Sequence, residues 1–333
     1  MPSVSLLTAK TYEVETLTQR LTELLSPLGG IEHFVKPGDR VLLKPNLLTG
    51  ARPTKECTTR PEIVYCVAKL VQAAGGKPFL GDSPAFGSAR GVAKANGLLT
   101  WAKKIDLPIV ELHGKRYAVE RAHVGGKSAE GAAVDESFDN FLLSKEAMDA
   151  DVVINLPKVK SHVQMTITLG VKNLFGCVPG KMKAWWHMEA GQDAQRFSAM
   201  LVETARMISP ELTIIDGIIG HEGNGPSGGE PRELGVLGAS ADVFALDRAM
   251  VEVLGVSPER VPILVESQRL GLCSSLAVID FPLERPESLK IKGWQLPTKM
   301  MPIDFGAPRV LRSTFKHLYI RFIKEPMAAY AAK

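Results

Sequence analysis

The sequence predicts an α/β fold with a mainly parallel sheet and helices on both faces. Short apolar, β-branched runs alternate with amphipathic segments of helical period through most of the chain. The strand–helix–strand order over residues 39–83 implies a right-handed crossover between parallel strands. With 333 residues, 45% hydrophobic and 23% charged, the chain can build a sizeable core.

VSLLTA (4–9) reads as the first strand. YEVETLTQRLTELLSPLGG (12–30) reads as a helix, with Val14, Leu17, Leu21 and Leu24 at helical spacing and Gly29–Gly30 as its stop. DRVLLKPNLL (39–48) is a buried strand running into a loop, because Pro45 pushes Lys44 toward extended geometry. Thr59 is the expected cap of a helix with Pro61 in its first turn and a stripe of Ile63, Val67, Leu70 and Val71. KPFLGDS (77–83) is the next strand. Residues 107–142 are less regular and contain the polar excursion GGKSAEGAAVDES, which suggests a small cap or insertion. Order resumes with a strand at 150–155, a helix at 195–208, a strand at 211–219, a glycine-rich loop at 220–235 and a helix at 241–255. We therefore expect one α/β domain over 1–275, with a possible cap at 107–142. A C-terminal extension over 276–333 follows, containing a basic amphipathic helix (310–326).

The net charge of +4 is too small to argue for nucleic acid. Four widely spaced cysteines form no C-x-x-C pair, so no zinc knuckle or complete iron–sulfur ligand run is encoded. A disulfide framework is not expected, which favours a reducing compartment. The N-terminus lacks a secretory pattern and no apolar stretch reaches the ~18 residues that span a bilayer. The expected location is the cytoplasm.

The densest chemistry lies in NLPKVKSH (155–162) and TLGVKNLFGCVPGK (168–181), just past a strand. Open α/β sheets place ligands outside the carboxyl ends of their strands. Lys158, Lys160 and His162 share one parity, so an extended segment points all three the same way. Such a cluster binds anions or lowers a lysine pKa; a solvated basic face is the plainer alternative. Lys172 and Asn173 follow between glycines. Lys44 and Asn46 leave one strand end, and Asp82 and Ser83 leave another, as ligand groups or as turn residues. In DGIIGHEGNGPSGGEPRELG (216–235), Asp216, His221, Glu222 and Asn224, with Gly223 and Gly225, offer acid–base groups and backbone N–H donors. The alternative there is a long surface loop. Cys177 reads as a packing residue. The pair Trp185–Trp186 with His187 reads either as a lid or as a core edge. No GxGxxG stands at a strand–helix junction and no GxxxxGK[ST] occurs, so the standard dinucleotide and P-loop readings fail.

The runs LKPNLL, TTRPEIV, GDSP, DVVINLPKVKSH, TLGVKNLFGCVPG, IIDGIIGHEGNGPSGGEPRELG and ADVFALD together resemble the family called domain of unknown function 362 over residues 40–275. The resemblance implies iron–sulfur association, because many members carry a ferredoxin-like module after this domain. It implies a redox enzyme, or its substrate-binding part, acting on a small anionic molecule. The resemblance marks motif positions and not roles; on their own chemistry, Lys158, His162, Lys172, Asp216 and Glu222 would be the catalytic positions. Lys44, Asn46, Asp82, Ser83, Lys160, Asn173, His221, Gly223, Asn224 and Gly225 would bind substrate. A 4Fe–4S cluster would sit on a separate ferredoxin-like partner or on a following module. The alternatives are a non-catalytic anion or cofactor binder, and metal-assisted hydrolysis or isomerisation through Asp82, Asp216, His221 and Glu222.

Overall fold

The computed structural model describes residues 1–119, 138–180, 182–189 and 193–303, and in the tail 315, 318–325 and 327. In chain order the elements begin with β1 (Ser5–Thr8), α1 (Val14–Leu25), α2 (Ile31–Phe34), β2 (Arg40–Pro45), α3 (Pro61–Ala73) and β3 (Lys77–Gly81). Next come α4 (Ala89–Ala95), α5 (Leu98–Lys104), β4 (Ile109–Val110), β5 (Gly114–Ala118), β6 (Asn140–Ser144) and α6 (Lys145–Met148). Then follow β7 (Val152–Leu156), β8 (Lys158–His162), β9 (Thr166–Thr168), α7 (Gly170–Leu174) and α8 (Met182–Glu189). The last are α9 (Ala194–Ile208), β10 (Leu212–Glu222), β11 (Glu230–Ser240), α10 (Val243–Val253) and α11 (Pro262–Arg269).

The main sheet runs β1-β11-β10-β7-β2-β3-β4. Its centre is parallel: β10 with β7, β7 with β2, β2 with β3, and β3 with β4. β11 and β1 complete one edge in antiparallel order. Alternation along β2 divides the core. Val41 and Leu43 face the layer that contains Leu17 and Leu21 of α1 and Val67 of α3, whereas Leu42 faces the layer with Val171 of α7 and Leu201 of α9. Helices therefore cover both faces, as the near-continuous apolar runs require of buried parallel strands.

The eleven-residue β10 positions the site. Its first half pairs with β7 (Leu212↔Ile154, Thr213↔Asn155). Its second half pairs with β8 (Asp216↔Lys158, His221↔Lys160). β8 thus starts where β7 stops, across Pro157, and extends the sheet at its carboxyl end. Pro157 has no N–H to give, but its carbonyl accepts the Asp216 amide at 2.9 Å.

Three local expectations change. Arg60, not Thr59, occupies the cap of α3. The Thr59 hydroxyl instead donates to the Leu156 carbonyl at 2.6 Å and accepts the Asn46 amide at 2.8 Å, tying the β2 loop to β7. The glycine-rich stretch 220–235 is mostly strand, since β10 continues to Glu222 and β11 begins at Glu230. Val171–Asn173 lie in a short helix rather than a loop. Of the expected cap at 107–142, β5 and β6 form a small antiparallel sheet; residues 120–137, including the polar excursion, lie outside the described residues.

Candidate functional site

The inward face of β8 carries Lys158, Lys160 and His162, all buried. Their surroundings differ. Lys158 donates to Glu56 at 2.8 Å, to Asp216 at 3.1 Å and to the Tyr12 hydroxyl at 3.0 Å. Tyr12 in turn donates to Asp216 at 2.6 Å, and the Arg60 amide donates to the other Asp216 oxygen at 3.0 Å. Burial, then the Asp216 charge, raises the Tyr12 pKa well above the ordinary range. Lys158 and Asp216 therefore belong to a closed network in which every charge has a partner. Glu56 holds its place at φ 49°, a left-handed backbone that a residue other than glycine adopts only when its surroundings enforce it.

Among the described residues, Lys160 is held only by neutral oxygens. It donates to Asn46 Oδ1 at 2.7 Å and to the Cys57 carbonyl at 2.7 Å. Burial, against the partial relief of nearby groups, lowers its pKa to about 7. An asparagine chain backs it. Asn46 donates to Asn173 at 2.8 Å; Asn173 donates to Asn155 at 2.8 Å and to the Lys44 carbonyl at 3.2 Å. Lys44 is paired with Asp82 at 3.0 Å, and Asp82 accepts the Leu47 amide at 2.8 Å. Gly176 covers this pair so closely that a Cβ there would stand 2.1 Å from Asp82 Oδ1. Ser83 accepts the Gly180 amide through its hydroxyl and the Lys183 ammonium through its carbonyl.

Lys172, on α7, is partly buried and lies over two rings, 5.5 Å from Phe175 and 5.9 Å from Phe197. Burial and the charge of Lys183 lower its pKa to about 7. Burial, with the Lys44 charge, lowers Lys183 to about 8 despite Asp82 nearby. No hydrogen bond or ion pair reaches Lys172 from the described side chains. His162 accepts the amides of Gln164 (3.1 Å) and Met165 (3.3 Å) at Nδ1. Burial, then the charges of Lys172 and Lys160, drives its pKa well below the ordinary range. With Nδ1 occupied as an acceptor, the neutral ring carries its proton on Nε2 and offers a donor rather than a base. His187 lies nearby, stacked on Phe197 at 4.5 Å.

The remaining positions lie along the end of β10 and its turn, with His221 buried and paired in register with Lys160. The imidazole of His221 accepts the Gly229 amide at 3.0 Å. Glu222 accepts the Gln295 amide at 2.9 Å and lies 3.7 Å from Arg232. Asn224 accepts from Thr298. Gly223 donates its amide to Gln295, and the Gly225 carbonyl accepts the Val163 amide at 3.0 Å. That loop clasps the outer side of β8. Asp82, Asp216, His221 and Glu222 are each engaged by different partners; no group of three or more His, Cys, Asp or Glu is placed to hold a metal among the described residues. Burial pushes the Cys177 thiol up to about 12, in keeping with a packing role. Trp186 is buried and stacks on Phe141 at 5.2 Å, whereas Trp185 is exposed.

Sequence reasoning missed Glu56, Tyr12, Lys183 and Asp247. Asp247 accepts the amides of Gly170 (2.7 Å) and Val171 (3.0 Å), and so sets the direction in which α7 presents Lys172 and Asn173. The ADVFALD run contains it, but its helical spacing reads as core packing.

The model of the family described as "Domain of unknown function (DUF362)" matches residues 41–252. The chain belongs to the DUF362 family. The chain is 61% identical over 331 residues to the "Thylakoid-associated protein sll1697" of Synechocystis sp., covering 99% of each. Among solved structures, this DUF362 chain is similar to the lactate racemase apoprotein from Thermoanaerobacterium thermosaccharolyticum. That match has a TM-score of 0.47 and 10% identity, over 75% of this chain and 57% of that one. No helix among the described residues is long and apolar enough to cross a membrane.

Proposed function

We propose that this protein binds a small carboxylate or phosphate anion between Lys160, Lys172 and Lys183, at the carboxyl end of its parallel sheet. One observation carries the reading. These three buried or partly buried lysines have no carboxylate partner among the described residues, while the carboxylate near them, Asp82, is already paired with Lys44. Keeping one such lysine charged without a partner costs on the order of 5 kcal/mol, taking a shift from 10.5 to about 7. An anion offsets that cost and is the chemistry the cluster selects. His162 Nε2–H adds a neutral donor. Calorimetric titration of the full chain with inorganic phosphate and with pyruvate, in low-salt buffer at pH 6.5, tests the reading. One-to-one binding that weakens at least tenfold in Lys160→Met supports it. Absence of both heat and thermal stabilisation with either anion overturns it.

The family resemblance adds a ferredoxin-like electron donor. In that finer reading the bound anion, or a product of it, is the electron acceptor. Reduced ferredoxin should then be oxidised faster when the anion is present than when it is absent; equal rates sink the idea.

The thylakoid-associated relative favours a place at a membrane surface rather than free in the cytoplasm. The tail supports this. Glu325 accepts the Ser88 amide at 2.9 Å and the Ser88 hydroxyl at 2.7 Å, which ties the helix to the body. Phe315, Tyr319 and Phe322 are 70%, 56% and 66% exposed. Residues 309–333 carry six Lys or Arg against the single acid Glu325. A basic helix with an exposed aromatic face suits an anionic bilayer. The full chain should co-sediment with phosphatidylglycerol vesicles and not with phosphatidylcholine vesicles. Phe315→Asp with Phe322→Asp should abolish it. Failure to bind phosphatidylglycerol vesicles ends this reading.

A further inference from the structure

We propose that Lys172 is a nucleophilic amine that forms an imine with a small 2-oxo carboxylate held by the neighbouring lysines Lys160 and Lys183. The inference rests on the anion-binding reading above and names its substrate class. Lys172 differs from every other lysine of the cluster. Lys44 is ion-paired with Asp82, Lys158 has two carboxylates, Lys160 is fixed by two oxygens, and Lys183 donates to the Ser83 carbonyl. Among the described residues, the Lys172 amine meets the Phe175 and Phe197 rings and no hydrogen-bond or ion-pair partner. It also lies within reach of the Lys183 charge, with the Lys160 and neutral His162 side chains nearby.

An amine becomes a nucleophile when an apolar wall and neighbouring cations keep it unprotonated. Its low pKa is consistent with that state near neutral pH. The flanking Lys160 and Lys183 remain to hold a carboxylate, because neither has an acidic partner of its own among the described residues. A ligand with a carboxylate next to a carbonyl fits both demands at once. Phosphate satisfies only the first, and a neutral ketone only the second.

In the step, the Lys172 nitrogen attacks the carbonyl carbon and a C–N bond forms. The proton released by nitrogen goes to the carbonyl oxygen, giving a carbinolamine. The hydroxyl then leaves as water with the second nitrogen proton, and the imine remains. His162 is the positioning donor, its Nε2–H stabilising the oxygen as charge develops there. Asp247 fixes the start of α7 and hence the approach of the amine.

The test is reductive trapping. The full chain is incubated with pyruvate and sodium cyanoborohydride at pH 7.5, and the adduct is located by peptide mass spectrometry. The expected result is one saturable adduct on the Lys172 peptide. Acetone, which has the carbonyl without the carboxylate, should label it at least tenfold more slowly, and excess phosphate should protect it. Lys172→Arg, with folding checked by circular dichroism, should lose that adduct. An unlabelled Lys172 with label scattered over exposed lysines overturns the proposal, as does labelling by acetone as fast as by pyruvate. If pyruvate binds by calorimetry and Lys172 stays unlabelled, the imine fails and the anion site stands. If neither anion binds, the underlying reading fails.

Discussion

Lys158 and Lys160 sit two residues apart on the same face of the same strand, equally buried, and have opposite electrostatic situations. Lys158 is met by Glu56, Asp216 and Tyr12. Lys160 is met by an amide oxygen and a backbone carbonyl. A buried cation with two carboxylates is part of the architecture. A buried cation with only neutral acceptors is waiting for charge from elsewhere. Charge compensation falls along β8 from Lys158 to Lys160, and the deficit continues into Lys172 and Lys183. Under the proposed function, the strand has a structural half and a ligand half.

The largest expected effect lies in the structural half. Asp216→Ala removes the acceptor shared by Lys158, Tyr12 and the Arg60 amide, leaving buried groups unpaired. It should lower folding stability by about 3–5 kcal/mol. The midpoint of a urea unfolding curve measures it. A loss below about 1 kcal/mol would dissolve the distinction between the two halves.

In the ligand half, Lys160→Met should behave the other way round. It removes an unneutralised charge but leaves Asn46 Oδ1 and the Cys57 carbonyl without a donor, so the two effects on stability oppose each other. We expect stability to change by less than about 1 kcal/mol while phosphate affinity falls roughly 10- to 100-fold. A large loss of stability with unchanged affinity would make Lys160 a second Lys158.

The same contrast appears in pH. Lys160 and Lys172 release their protons near pH 7 in the folded protein, against the ordinary value of 10.5 in an unfolded chain. Between these values the unfolded chain binds more protons, so the stability of the anion-free protein should rise as pH climbs from 7 toward 10. Anion affinity should fall over that range, because the charged amines disappear. Saturating phosphate should flatten the stability gain. Thermal unfolding at pH 7, 8 and 9, with and without phosphate, reads both trends. Stability that falls with pH in the absence of phosphate would contradict the assignment.

The shared face was legible in the sequence, but the division was not, since Lys158 and Asp216 read there as catalytic. The parity of Lys158, Lys160 and His162 predicted a shared face, and an apolar run ending in ADVVIN predicted the strand end that carries it. The Lys44 and Asp82 loops were legible as strand ends because Pro45 and Gly81 punctuate them. What one strand cannot report is the charge brought to it by distant segments. Glu56 reaches Lys158 from a turn that reads as surface loop, and Tyr12 reaches it from before α1. β11 was missed because EPRELGVLGAS mixes charges and glycines and lacks a clean alternation. It becomes a strand by pairing between β10 and β1, a tertiary cause with no local signature.

The smallest expected effect tests the boundary of the ligand half. Glu222 stands beside His221 in sequence, and that adjacency suggested acid–base chemistry. In the fold its carboxylate is turned to the Gln295 amide and Arg232, closing the rim of the sheet over the 290s segment. Glu222→Gln keeps an acceptor for that amide and loses only a long, partly exposed ion pair, worth about 1 kcal/mol or less. Phosphate affinity should stay within about twofold of the unmodified protein, since a 1.4 kcal/mol change would be needed for tenfold. An affinity rise of tenfold or more on removing this negative charge would mean that Glu222 shares the proposed anion site with Lys160. The ligand half would then extend across the β10–β11 turn.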